Sequence, residues 1–338
     1  MHIIFALTEI GNSIIKHAIK KIILLLVVVL SAFCSVGCNK DEKVTVGILL
    51  TATHSALDNA KEGFIEALKA NGYEDAEFVV KNPEGDSTTM NSMATELIRK
   101  SDIVLGIGTP AAVALQSARD AEEIDITILF TAVTDPVSAG LMSDVNKPTD
   151  ITGTNDMNPV ADQVDLILEL APGITKLGVL YNVAEPNSQV QAEMVKAQAA
   201  KKNVEVVVKT VSEAIEISAA TTALIQTEKV GAIYLPTDNL IAANMPAVGA
   251  VADELGVPTV AGESGMVAAG GTITYSINYK SLGYLTGEMA AKILGGTPCS
   301  EVPSTSVDAT GLEVAINDSS IEKLGIEVPQ SIKDKLNK

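Results

Sequence analysis

Three acidic side chains, each in a loop that closes a β-rich run, are the first candidates for chemistry in this 338-residue chain. Asp135 lies in Thr131-Ala132-Val133-Thr134-Asp135-Pro136, Asp238 in Pro236-Thr237-Asp238-Asn239 and Glu263 in Gly262-Glu263-Ser264-Gly265. The other loops of this kind, Thr51-Ala52-Thr53-His54, Gly108-Thr109-Pro110-Ala111 and Asn182 to Ser188, are small and hydroxylated, and none of the six contains an arginine. Carboxylates gathered this way suit an ammonium group, which they hold through charge-assisted hydrogen bonds. An anion would be held instead by backbone N–H groups at the helix starts entered by Thr109-Pro110-Ala111 and Asn187-Ser188-Gln189. Pro110 suits a first helical position, where its missing N–H costs nothing. Acids on one side and helix ends on the other describe a receptor for a zwitterion such as an α-amino acid. A plainer reading stands beside this one: Asp and Asn before helices are usually N-caps and Asp-Pro usually starts a turn, so Asp58, Asp135, Asn187 and Asp238 could each serve only the backbone.

Other chemistries find little support. No nucleophile elbow or phosphate-binding loop occurs, and Gly106-Ile107-Gly108 is followed by Thr-Pro-Ala without the third glycine of a dinucleotide fingerprint. His54 is the only histidine beyond the N-terminal leader and Cys299 the only cysteine after Cys38, so neither a histidine-based metal cluster nor an intramolecular disulfide is expected. A lone histidine here reads first as a polar loop residue. The net charge is −18 and the only arginines are Arg99 and Arg119, so no basic stripe exists to neutralise a nucleic-acid backbone. The expectation is a binding protein without enzymatic activity, metal, cofactor or nucleic-acid partner, whose acidity keeps it soluble and monomeric.

The elements that must position these loops alternate in type. Val44 to Leu50 is nearly continuous apolar, as in a strand covered on both faces, and Leu57, Ala60, Phe64 and Leu68 follow at helical spacing. Strands at 77–81, 103–107 and 126–130 alternate with helices at 88–100 and 110–121. A second series has strands at 177–181, 205–209 and 232–235 and helices at 188–202 and 215–228. Such alternation implies parallel sheets wound on both faces, hence an α/β protein with two doubly wound parallel-sheet lobes and a hinge. Ligands of open parallel sheets bind beyond the carboxyl ends of the strands, and two facing sheets would enclose one cleft. The expected boundaries are 44–154 plus 278–300 for lobe 1 and 155–277 plus 301–338 for lobe 2, so the chain crosses more than once.

The N-terminus bears on location. Lys16, Lys20 and Lys21 precede an apolar run from Ile22 to Phe33, the layout of a secretory signal too short to span a bilayer comfortably. Ser35-Val36-Gly37-Cys38 resembles a bacterial lipobox, with Ser35 where leucine is usual. The expectation is a signal peptide over 1–37, lipidation (palmitate included) at Cys38, a linker over 38–43, and an extracytoplasmic protein anchored to the cell membrane.

Several colinear motifs converge on one family: Gly108-Thr109-Pro110-Ala111-Ala112, Phe130 to Val137, Gly178-Val179-Leu180-Tyr181-Asn182 with Glu185-Pro186-Asn187-Ser188, Pro236 to Asn239, and Gly287 to Leu294. Together they resemble the TrpX/TrpY-like substrate-binding lipoproteins of ABC transporters, over about Val44 to Pro329. The resemblance implies a type I periplasmic-binding-protein fold that closes around an amino acid, often an aromatic one such as Trp, Tyr or Phe, and hands it to a permease and ATPase. Carried over by motif, Thr109, Pro110, Ala132 and Asp135 would line the first lobe's wall, and Asn187, Ser188, Asp238 and Glu263 the second's; Thr53, in the first strand-end loop, is a further candidate contact. Thr51-Ala52-Thr53 stands where aromatic-preferring relatives often carry a bulky residue, and Glu263 where members often carry Asp. A surface lipoprotein that senses or adheres, uncoupled from transport, is the alternative.

Overall fold

The computed structural model describes residues 43–306 and 312–336; the leader and Cys38 lie outside the described residues. The first sheet contains β1 (Thr45–Leu50), β2 (Glu77–Lys81), β3 (Ile103–Ile107), β4 (Thr127–Val133) and β5 (Ile151–Asn155), all parallel in the order β2-β1-β3-β4-β5. Helices α1 (Ser55–Ala70), α2 (Ser87–Lys100) and α3 (Thr109–Glu122) follow β1, β2 and β3. The inner strands are apolar throughout because both faces are covered: Ile48, Leu105 and Leu129 pack with α1, while Leu49, Val104 and Phe130 pack with α2 and α3.

The second sheet follows α4 (Val160–Leu170). Its first two strands, β6 (Lys176–Asn182) and β7 (Glu205–Val211), flank α5 (Pro186–Lys201). Then come α6 (Ile217–Thr222), β8 (Ala232–Leu235), α7 (Asn239–Ala243), α8 (Met245–Glu254), β9 (Thr259–Ala261), α9 (Ser264–Ala268) and β10 (Ile273–Ile277). The long α10 (Tyr279–Leu294) precedes β11 (Leu312–Ile316), α11 (Asp318–Leu324) and α12 (Gln330–Leu336). Strand order is β11-β10-β9-β8-β6-β7, parallel except for the antiparallel edge strand β11. Two α/β lobes with mostly parallel sheets are therefore present, as the alternation implied.

Two departures from the sequence reading have physical reasons. The helix expected over 215–228 starts at Ile217, because Glu213 and Glu216 form a reciprocal capping box around a single 3-10 turn that leaves Ile215 85% exposed. Its last turn, Ala223–Thr227, widens to a π-turn. Past the expected boundary at residue 301, the chain keeps contact with the first sheet: Thr305 bridges Thr154, Thr152 Oγ1 donates to the Val302 carbonyl and Ser304 N–H to that of Val145.

Helix α10 returns from the second sheet to the first and packs on α1. Glycines let the two backbones touch: a Cβ at Gly283 would lie 1.9 Å from the Ala60 carbonyl oxygen, and one at Gly63 would lie 2.0 Å from that of Lys280. This contact fixes the return crossing at Ile277 to Tyr279. The outward crossing after β5 is tied to it, since Asn158 Oδ1 accepts from Ile277 N–H and Asn158 Nδ2 donates to the Tyr279 hydroxyl.

Candidate functional site

The strand-end loops of both sheets meet face to face. Contact between lobes is direct: His54, at the entry to α1, hydrogen-bonds through Nε2 to Asn239 Oδ1 at 3.1 Å, and the Thr134 and Thr237 hydroxyls lie 3.3 Å apart. Gly265 approaches so closely that a Cβ there would overlap Ser55 Oγ at 1.8 Å. The lobes are closed.

Two neighbouring spaces lie between them. The larger, about 720 Å3, is lined by Thr53, Met90, Pro110, Val113, Leu240 and Ala243 among others. The smaller, about 10 Å3, is deep and near the crossings, with His54, Leu57, Ala132, Asp156, Asn187 and Glu263 in its wall. Thr109 and Asn239 line both, so the two are neighbours. No lysine or arginine lines either.

The loop geometry follows from local backbone demands. Gly108, the N-cap of α3, has φ 92°, and a Cβ there would meet Thr51 Oγ1 at 2.5 Å, so only glycine seats the helix start against β1. Ala132 adopts a left-handed φ of 54°, where the β4–β5 register shifts between Phe130 and Val133, and this bulge turns its side chain to the deep pocket.

Four carboxylates are buried here. Asp156, on the outward crossing, is 3% exposed; its Oδ2 accepts from the Tyr279 hydroxyl at 2.6 Å, while Oδ1 has no partner. Burial drives its pKa up, against the lowering pull of the Tyr279 and, more weakly, the Thr134 hydroxyls. Glu263 caps α9 by accepting from Gly265 and Met266 N–H, and burial still pushes it up to about 7. Glu185 and Asp238 share the start of α7: Glu185 accepts from Asn239 and Leu240 N–H, Asp238 from Ile241 N–H at 2.9 Å. Both are raised by burial, and Glu185 further by the Asp238 charge, so the pair holds a proton near neutrality.

The sequence-nominated residues divide accordingly. Thr109, Ala132, Asn187 and Glu263 come together at the deep pocket, and Thr53 and Pro110 at the larger cleft, where Thr53 donates to Glu84 through both its N–H and hydroxyl. The other three hydrogen-bond within their own lobes, and Asp135 lines a further small space with Thr109 and Asn187. Asp135 accepts from Val137 N–H, Ser138 N–H and Ser138 Oγ, and these hydrogen bonds outweigh burial to lower its pKa: it holds its own turn. Asp238 accepts from Asn182 N–H and Ser188 Oγ besides capping α7, which spends both residues beneath the cleft floor. Sequence reasoning missed Asp156, Glu185, Tyr279 and the inward role of His54. Asp156 directly follows β5, but nothing in its local sequence marks it as buried.

His54 and Asn187 share a property with Asp156: each has one buried side-chain atom without a hydrogen-bond partner, Nδ1 and Oδ1 respectively. The residues that carry three of the five such atoms among the described residues line this one pocket.

Comparison with known proteins places these features in context. Residues 45–337 match the model of the ABC transporter substrate binding protein family. A tyrosine-binding protein of Clostridioides difficile is 37% identical over 294 residues, covering 86% of this chain and 83% of that protein. Among solved structures, an ABC domain from Streptococcus pneumonia in complex with L-Trp is 32% identical and superposes with a TM-score of 0.81, covering 87% of this chain and 98% of that one. The ligand-free, open structure of a Clostridium difficile substrate binding protein with adhesive properties is 37% identical, yet its TM-score is 0.63 over 85% of this chain and 96% of that one. The lower score at higher identity fits a difference in lobe arrangement.

Proposed function

The chain belongs to the ABC transporter substrate binding protein family, a family of solute-binding proteins and not of enzymes, and on that premise we propose that it captures an α-amino acid with a large apolar or aromatic side chain. The observation that carries this reading is the paired space between the lobes. An amino acid needs a small polar recess for its charged head and a roomier one for its side chain. The deep pocket, with its carboxylates and unpaired acceptors, suits an ammonium, and the 720 Å3 cleft falls in the size range of small-molecule sites, about 300–1,000 Å3. Thr109, at the junction, opens the 14-residue α3, whose N-terminal partial charge favours the neighbouring carboxylate.

The relatives described as tyrosine-binding and as bound to L-Trp support an aromatic cargo. The walls here would grip a ring with aliphatic groups, Met90, Pro110, Val113 and Leu240, in place of an aromatic stack. Thr53, Thr109, Pro110, Ala132, Asn187 and Glu263 are the contacts we propose from the sequence-nominated set, with Asp135, Ser188 and Asp238 supporting the loops that carry them. The protein would work outside the cytoplasm as a monomer held by lipid at Cys38. It would deliver its ligand to a permease and ATPase by opening between lobes 44–154 plus 278–306 and 155–277 plus 312–336. Among the described residues no helix is long and apolar enough to cross a membrane. The adhesive properties ascribed to one relative favour a second role at the cell surface, which binding of the purified protein to host-cell layers would reveal.

A thermal-shift screen of the standard amino acids tests the main reading. A true ligand at 100 times its dissociation constant stabilises by about 2.7 kcal/mol. No shift with any amino acid would refute it.

A further inference from the structure

His54 is the only histidine among the described residues, and it stands in a contact that joins the lobes. Asn239 Nδ2 donates to Glu185 Oε2 at 2.7 Å, which leaves Asn239 Oδ1 to accept and assigns the hydrogen of the 3.1 Å contact to His54 Nε2. Part of the residue still meets solvent, but Nδ1 is buried without a hydrogen-bond partner, so it presents a lone pair. A second proton on the ring would create a buried N–H with no acceptor and a positive charge beside it. Burial accordingly lowers the pKa of His54, against the raising effects of the Asn239 hydrogen bond and the Asp58 charge.

This burial is a product of closure. His54 enters α1 in the first lobe, whereas Asn187, Thr237, Asn239 and Ala242, which line the same pocket, belong to the second. Parting the lobes removes that wall together with the Asn239 acceptor, and returns the imidazole to water, where its ordinary pKa is about 6.5. The acids that face the ring do little to hold a cation there. Asp58, on the same helix, is paired with Lys61 at 2.6 Å. Asp156 on the outward crossing, Glu263 at the start of α9 and Glu185 behind Asn239 are all raised by burial, Glu263 to about 7, and Tyr279 on α10 is a neutral phenol. Below neutrality, where the imidazole would gain its proton, burial favours the neutral forms of these acids too.

We propose that His54 is an acid-sensitive latch between the lobes: they close on a neutral imidazole, and its protonation opens them and releases the ligand. The proposal rests on the reading above that the lobes close around a small ligand, and it holds whichever atoms that ligand meets. Its sign follows from linkage. The closed form binds fewer protons at His54 than the open form, so closure is at full strength above about pH 6.5 and weakens below it, by up to about tenfold per pH unit. Asp156, Glu185 and Glu263 act in the opposite direction, because burial on closure favours their protonated forms, so the test compares two proteins that share them.

Those proteins are the wild type and His54→Gln, whose side-chain amide can still donate to Asn239 but does not titrate. Affinities for L-tyrosine and L-tryptophan are measured by calorimetry at pH 7.5 and pH 5.5. For whichever binds, the ratio of the wild-type dissociation constant to that of the variant should rise about tenfold at the lower pH. An unchanged ratio would overturn the proposal. Proton NMR reads the latch directly: the imidazole signal missing from His54→Gln should titrate at least one pH unit lower with the amino acid bound than without it, and equal midpoints would also overturn it. If neither amino acid binds, the proposed function fails, and the latch is tested apart from it in Thr134→Cys/Thr237→Cys. There the hydroxyls 3.3 Å apart become thiols that oxidation joins with the lobes closed. The His54 midpoint should fall on oxidation and recover on reduction; a midpoint unmoved once the disulfide has formed would sink the latch.

Discussion

Glu263 does two things that conflict near neutral pH: it caps α9 with both oxygens, which favours the anion, and it is 2% exposed in a pocket without a cation, which disfavours it. Burial wins, moving its pKa from an ordinary 4.5 to about 7. The native state therefore keeps a proton that the unfolded chain gives up between those values, and this group's contribution to stability is present below about pH 4.5 and lost as pH rises through about 7. Glu263→Gln removes the titration while keeping the shape. Urea unfolding of ligand-free protein should show the variant gaining on the wild type between pH 5 and pH 8; a constant difference across that range would contradict the assigned shift. Ala132 gives a second check: with φ 54°, Ala132→Gly should relieve strain and leave thermal stability equal or higher, and a clear loss would show that the left-handed turn is not strained. At this scale the sequence was only partly legible. Asp-Pro at Asp135 pointed to both a turn and a ligand contact; its carboxylate holds the turn and also lines a small space with Thr109 and Asn187. Asp156 was invisible because its importance comes from burial beneath Tyr279, a residue 123 positions away.

The longer elements were readable because their residues carry periodic burial. Unbroken apolar runs gave β1 and β3, and the spacing of Leu57, Ala60, Phe64 and Leu68 gave α1. The short ones were not: α7 and α9 have five residues each, and are held by the caps Asp238 and Glu263, so no period can develop. Strand β9 has only three residues and is equally silent. The glycines of the α1–α10 contact are also unreadable locally, since only the partner's backbone makes a Cβ intolerable. Gly283→Ala places that Cβ 1.9 Å from the Ala60 carbonyl oxygen and should destabilise by about 1–3 kcal/mol or more, lowering the midpoint of denaturant unfolding. Unchanged stability would mean that the helices can part freely, and that the return crossing is not fixed by this contact.

On the scale of the whole molecule, function lies in the equilibrium between open and closed lobes, and the closed form is held by contacts that include His54 with Asn239, Thr134 with Thr237, and Gly265 against Ser55. A ligand that bridges the lobes shifts this equilibrium only by its differential affinity for the closed form. Two lobes were legible from the doubled β-α alternation, and the family from colinear motifs. The closed arrangement was not, because it depends on surfaces that meet only after both lobes have folded. The most direct test of the account is calorimetric titration of the ligand-free protein with L-tyrosine and L-tryptophan. The account predicts saturable binding of at least one, at one ligand per chain. Absence of binding heat at several temperatures for both, with protein that melts cooperatively, would contradict it.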